Sequence, residues 1–189
     1  MRLIPITLAL TLLPVAAFAH PALGPHAHGL VEGVSHPFTG LDHLLAMISV
    51  GVWASQKGGR AFWLWPASFV LAMIVGGVLG MTGFALPLVE PAIAASLLVL
   101  GLMIAGAINL PQGLGAALIA LFGLFHGNAH GLEAGGAAAA YAIGFTLATV
   151  TLHALGLALG LSVHRAQARP ALRLAAGLIA VTGAALFFL

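Results

Sequence analysis

Apolar stretches of membrane length, separated by short polar breaks, make up most of this chain. They cover residues 30–55, 61–82, 88–108, 114–131, 136–163 and 171–189. Each is near the ~20 residues that a helix needs to cross the hydrocarbon of a bilayer. Because the connections are short, neighbouring helices should be antiparallel and form a compact bundle. The pattern predicts an all-α, polytopic membrane helix bundle of six transmembrane helices, which forms one membrane domain over residues 30–189.

The segment before this bundle predicts a cleaved secretory signal peptide over residues 1–19. Arg2 supplies a positive charge, an apolar run follows, and Ala17-Phe18-Ala19 matches a cleavage site for signal peptidase. An uncleaved first membrane helix is the alternative, but the short run and the small residues favour cleavage. The mature chain would begin with an extracytoplasmic tail over residues 20–29. Its histidines His20, His26 and His28 could capture metal ions, although a solvated leader without function fits equally well.

Composition and charge narrow the class of protein. Hydrophobic residues make up 61% of the chain and charged residues 5%, against about 25% charged residues in a soluble domain. The expected surroundings are therefore a lipid bilayer. The chain has no cysteine, so no disulfide or thiolate site is expected. It shows no basic patch and no nucleotide-binding motif, so neither nucleic acid nor ATP is an expected partner.

Positive charges predict the orientation. With the mature N-terminus outside, the Lys and Arg residues of the mature chain fall in or beside the two inner loops 56–60 and 164–170, and the outer loops hold none. This distribution follows the positive-inside rule. We expect a multi-pass protein of the bacterial inner membrane with a periplasmic N-terminus. The sequence is compatible with a homo-oligomer.

Two polar clusters interrupt the apolar segments at a similar predicted depth. They are His36, Asp42 and His43 in the first segment, and His126, His130 and Glu133 in the fourth. Helical spacing places both histidines of each cluster on one helix face. Ionisable groups at membrane depth are costly without partners or a bound ion. Imidazole and carboxylate ligands suit divalent transition metals, so the clusters predict a metal site. The alternative is that they only bridge helices by hydrogen bonds.

Proline and glycine within the clusters predict local breaks. Pro37 with Gly40, and Gly127 with Gly131, should loosen the backbone, as in the discontinuous helices that line transporter sites. By contrast, the G-x-x-x-G pair of Gly76 and Gly80 is expected to allow close helix packing.

Three further polar residues have simpler expected roles. Asn128 is expected to cap a helix end rather than bind metal. Glu90 is expected at the surface. His153 stands alone in the fifth segment, so a satisfied buried histidine is favoured over a relay or a second site.

Both clusters resemble the motifs of the HupE/UreJ family of nickel and cobalt permeases. The first reads HPFTGLDH, a histidine followed by five residues and Asp-His, and the second reads FHGNAHGLE. With the signal peptide and six helices, the resemblance spans nearly the whole chain. It implies a non-enzymatic permease that moves Ni²⁺ or Co²⁺ as substrate, without a fixed cofactor, for hydrogenase or urease accessory systems. It also implies that the six clustered residues are required for transport.

Two other functions use the same side chains. An intramembrane zinc hydrolase could bind its metal through His36, His43 and His126, with Asp42 as the base. The H-E-x-x-H signature is absent and neither motif holds a serine, so this is the weaker alternative. A membrane haem protein with two axial histidines has only the paired histidines in its favour.

Overall fold

The computed structural model describes residues 29–188, which are all-helical. The helices are α1 (Leu30–Thr39), α2 (Leu41–Lys57), α3 (Ala61–Met81), α4 (Val89–Ala105), α5 (Gln112–Glu133), α6 (Ala138–Arg165) and α7 (Arg169–Phe187). The all-α prediction is confirmed. The predicted signal peptide and the three tail histidines, His20, His26 and His28, lie outside the described residues, so their cleavage and metal capture stay predictions.

The predicted first membrane helix is two helices. α1 and α2 are bent by 84°, and the bend falls at Gly40, whose backbone is extended between them. The predicted break near Pro37 and Gly40 is thus found. The corresponding prediction for Gly127 and Gly131 is wrong, because α5 continues through both.

Within residues 29–188, three helices, α3, α6 and α7, are long and apolar enough to cross a membrane, and the bent pair α1–α2 would make a fourth. α4 is apolar but has only 17 residues. α5 has 22 residues and carries the polar motif in its last three turns. Membrane-length apolar helices are therefore present, and the prediction of six crossings stays a prediction.

Glycines hold α3 and α5 in close contact. A Cβ on Gly127 would lie 1.9 Å from the Met73 carbonyl oxygen, and one on Gly76 would lie 2.0 Å from that of Leu124. A Cβ on Gly80 would lie 2.5 Å from the Asn128 carbonyl oxygen of α5. The two backbones thus meet without intervening side chains, as small residues allow in membranes. This contact fixes the height of the α5 motif in the bundle.

The two ends of the bundle differ in charge. One end holds α1, the start of α2 and the end of α5, and with them both polar clusters. The opposite end holds every Lys and Arg of the described residues: Lys57, Arg60, Arg165, Arg169 and Arg173. Between the ends, large apolar side chains such as Leu71 and Leu178 are exposed. An apolar belt between polar ends is the surface that a bilayer covers.

Candidate metal centre

Three potential ligands meet at the outer end of the cluster, which we call the mouth. His36 of α1 and His130 and Glu133 of α5 place one ligand atom each within 4.8 Å of the other two. Glu133 Oε2 lies 3.6 Å from His130 Nδ1 and 4.0 Å from His36 Nε2. Ligands at about 2.0–2.2 Å from an ion are themselves about 3–3.5 Å apart. Side-chain movements of about 1 Å would therefore close this group around a cation.

His43 forms a carboxylate–histidine pair with its neighbour. Its backbone N–H and its ring Nδ1–H both donate to Asp42 Oδ1, at 2.8 and 2.7 Å. In a neutral imidazole this leaves the lone pair on Nε2. Metal-binding histidines commonly carry such a carboxylate on the far nitrogen, which fixes the ring and raises its basicity. Asp42 thus orients His43, whereas the sequence had grouped it with the potential ligands.

His126 is fixed in the same tautomer by another route. Its Nδ1 donates to the carbonyl oxygen of Phe122, one turn earlier in α5, at 2.9 Å. The side chain is completely buried. Its Nε2 therefore carries the lone pair, as in His43.

The four predicted histidines form one line of rings. Ring centroids are 4.7 Å apart between His36 and His130, 4.5 Å between His130 and His43, and 5.2 Å between His43 and His126. The His36 side chain at the outer end of the line is 20% exposed. His130 and His43 between the ends are buried, and His126 at the inner end is completely buried. The line thus leads from the mouth of the bundle into its interior.

The inner part of the line holds buried nitrogen atoms without partners. Nε2 of His43, His126 and His130 is buried and makes no hydrogen bond within the described part of the chain. Leaving such a group unpaired costs about 1–3 kcal/mol. For His43 and His126, whose lone pair is on Nε2, a bound cation would offset that cost by accepting the lone pair. The donor set of imidazole nitrogens and carboxylates fits a divalent transition metal.

A cavity of about 260 Å³ opens beside the mouth. Its lining includes His36, His43, Asp42, His130 and Glu133, together with a further acidic residue that was not assigned to the site from the sequence. That residue is Glu90, in the first turn of α4. Glu90 is exposed, as predicted, but it is exposed to the cavity that it lines. Its position at the predicted outer end of the third apolar segment was the only signal in the sequence.

Asn128 and Tyr141 support the motif from neighbouring segments. The Asn128 amide donates to the Phe84 carbonyl at 2.8 Å and accepts from the Leu86 N–H at 2.8 Å. It therefore ties α5 to the loop that follows α3, rather than capping a helix or facing the cavity. The Tyr141 hydroxyl lies 3.4 Å from His130 Nδ1. This contact adds α6 to the walls of the site.

Comparison with known proteins extends the likeness over nearly all of the chain. A family model described as HupE / UreJ protein matches residues 8–186. Protein HupE of Rhizobium leguminosarum bv. viciae is 44% identical over 183 residues, which cover 96% of each chain. No solved structure matches.

Proposed function

The chain belongs to the HupE/UreJ family, and from this premise we propose that it is a secondary transporter for Ni²⁺ or Co²⁺. The ion would cross the bacterial inner membrane into the cytoplasm, where it would supply hydrogenase or urease maturation. In this proposal the metal is the cargo. The tail histidines His20, His26 and His28 would capture it first. The comparisons lend no support to an intramembrane zinc hydrolase.

The line of imidazoles is the observation that carries the proposal. Neighbouring rings from His36 to His126 have centroids 4.5–5.2 Å apart, and the line runs from the partly exposed His36 to the completely buried His126. An ion held at about 2 Å by one nitrogen can contact the next before it leaves the first. Several moderate sites in series allow an ion both to enter and to leave. A single closed site of four tight ligands would instead retain its metal.

The charges at the two ends support the direction. Glu133 and Glu90 lie at the mouth of the cluster, where their negative charge would raise the local concentration of cations. The basic residues lie at the opposite end, which the positive-inside rule places in the cytoplasm. An ion that enters at the histidine end would therefore come from the periplasm.

Uptake of radioactive nickel by intact cells tests this function. We would compare cells expressing the wild type, the vector, His126→Ala and His164→Ala, with cobalt, zinc and copper as competitors. His164 is exposed at the basic end, so its variant is a matched control. We expect uptake in the wild type and in His164→Ala, loss in His126→Ala, and competition by cobalt. Absence of uptake by an inserted wild-type protein would contradict the function, and full uptake by His126→Ala would contradict the site.

A further inference from the structure

His153 of α6 is buried in the middle of the bundle and has one unused nitrogen. Its exposed fraction is 2%. Nδ1 donates a hydrogen bond of 2.8 Å to the Met47 carbonyl oxygen in α2. The neutral ring therefore carries its lone pair on Nε2. That atom is buried and has no hydrogen-bond partner among residues 29–188. This is the same state as Nε2 of His43 and His126 in the metal cluster.

The position of His153 continues the line of imidazoles. The ring of Phe69 contacts His126, with centroids 5.3 Å apart, and also contacts His153, with centroids 5.0 Å apart. Phe69 comes from α3, whereas the two histidines come from α5 and α6. A single aromatic ring thus separates the innermost imidazole of the cluster from His153.

One face of α6 follows the whole path. Residues 141, 145, 149 and 153 recur every four positions and so share a face. Tyr141 and Phe145 contact His130 at the mouth, and the Thr149 hydroxyl lies 3.5 Å from Met73 Sδ. His153 follows one turn deeper. The rise of ~1.5 Å per residue places it about 18 Å below Tyr141, which is near the middle of a hydrocarbon layer about 30 Å thick.

We propose that His153 is a second metal-binding position, at mid-depth, which receives the divalent cation from His126 past the ring of Phe69. This proposal rests on the proposed function, because it makes His153 the next metal-binding position along the transport path. In the transfer, the bond from the ion to His126 Nε2 breaks as the bond to His153 Nε2 forms. Water completes the coordination, and no electron is transferred.

The competing interpretation is that His153 only ties α6 to α2. Asparagine and glutamine separate the two roles. The Nδ2 of an asparagine occupies nearly the position of histidine Nδ1, so His153→Asn keeps a donor for the Met47 carbonyl but lacks an atom at Nε2. His153→Gln places its amide near Nε2 and loses that donor. If His153 only holds α6 to α2 by its hydrogen bond, the asparagine variant should transport and the glutamine variant should not. If His153 binds the metal, both variants should fail to transport.

Transport is the first readout. We expect nickel uptake by His153→Asn to fall about tenfold or more, the scale on which disturbed metal coordination acts. His164→Asn, at the exposed end of the same helix, should transport as the wild type does. Circular dichroism and gel filtration of each purified variant would establish folding. Wild-type uptake by His153→Asn would overturn the proposal.

Metal binding is the second readout and does not depend on transport. The probe is Co²⁺, whose visible absorption reports nitrogen coordination, added to the purified full chain in detergent. In a His36→Gln/His130→Gln protein, which lacks the mouth, we expect residual Co²⁺ binding that weakens when His153→Asn is added. Residual binding that is insensitive to His153, or no residual binding, would overturn the proposal. If the wild type fails to transport but this binding depends on His153, the proposed function fails while the inner site stands.

Discussion

A methyl group added at Gly127 should separate α5 from α3 and disturb the metal cluster. The new Cβ would lie 1.9 Å from the Met73 carbonyl oxygen and 2.6 Å from the carbonyl carbon. Real Cβ atoms essentially never come within 3.0 Å of such neighbours. The obstacle is backbone, which cannot rotate away as a side chain can. The two helices must therefore part by about 1 Å or more at this point.

The cost has a structural and a functional part. Overpacking of this kind costs about 1–3 kcal/mol, against a gain of roughly 0.5–1 kcal/mol from replacing a helical glycine by alanine. His126 and His130 flank Gly127 on α5, so they move with it. Binding sites tolerate displacements of only about 0.5 Å. We therefore expect Gly127→Ala to lower the unfolding temperature and to reduce nickel uptake by about tenfold or more.

Gly77→Ala is the matched control across the same interface. Its Cβ would lie 3.5 Å from the Gly127 carbonyl oxygen, which is an ordinary contact. Thermal unfolding in detergent and cellular uptake would be measured for both variants. Gly77→Ala should transport as the wild type does and unfold at the same temperature or a slightly higher one, because alanine is favoured over glycine in a helix. If Gly127→Ala unfolds and transports as Gly77→Ala does, the inference that backbone contact between α3 and α5 positions the cluster is refuted.

Three further substitutions test separate parts of the site. Asn128→Ala removes hydrogen bonds to the Phe84 carbonyl and the Leu86 N–H, at about 1 kcal/mol each; hydrogen exchange should become faster in residues 82–88, and unchanged exchange would contradict the tie. Asp42→Asn keeps a hydrogen-bond acceptor for His43 but loses the charge, so Co²⁺ affinity should fall about 10–100-fold; unchanged affinity would show that the charge is not needed. Glu90→Gln changes a residue that lines the cavity outside the ligand group and should weaken nickel uptake most at low ionic strength, where surface charge acts furthest; a loss independent of salt would argue against attraction of cations at the mouth.

Hydrophobic length predicted the straight helices closely but not the bent one. The predicted segment 61–82 is α3, Ala61–Met81, and the segment 136–163 lies within a residue or two of α6, Ala138–Arg165. The segment 30–55 has the length of a single membrane helix, yet its axis turns by 84° at Gly40. Composition records which residues avoid water. Composition does not specify the angle between the helices on either side of a glycine such as Gly40.

The glycines of α5 show why local sequence is ambiguous. Gly127 and Gly131 were predicted to loosen a helix, because glycine favours irregular backbone. They lie in a regular helix instead and make room for α3. Whether these glycines break the helix or allow close packing depends on the surface of α3 that faces them, which includes Gly76. No pattern within α5 contains it.

The site divides in the same way. Spacing and residue type grouped the four histidines, and the structure brings their rings together. The roles of Asp42 and Asn128 depend on which atoms they meet, and those atoms lie on the backbone or on a neighbouring ring. His153 looked isolated because its neighbours, Met47 and Phe69, are apolar residues far away in sequence. Contacts between helices, rather than residue type, distinguish a proposed metal-binding histidine from an isolated buried one.

Metal flux into sealed vesicles tests the central claim most directly. The purified chain would be reconstituted into lipid vesicles that enclose a nickel-sensitive dye, with a gradient of Ni²⁺ and no ATP. We predict a dye response that is saturable, slowed by external cobalt and absent with His126→Ala. No response from the reconstituted wild type, or a response that survives His126→Ala unchanged, would contradict transport through the line of histidines.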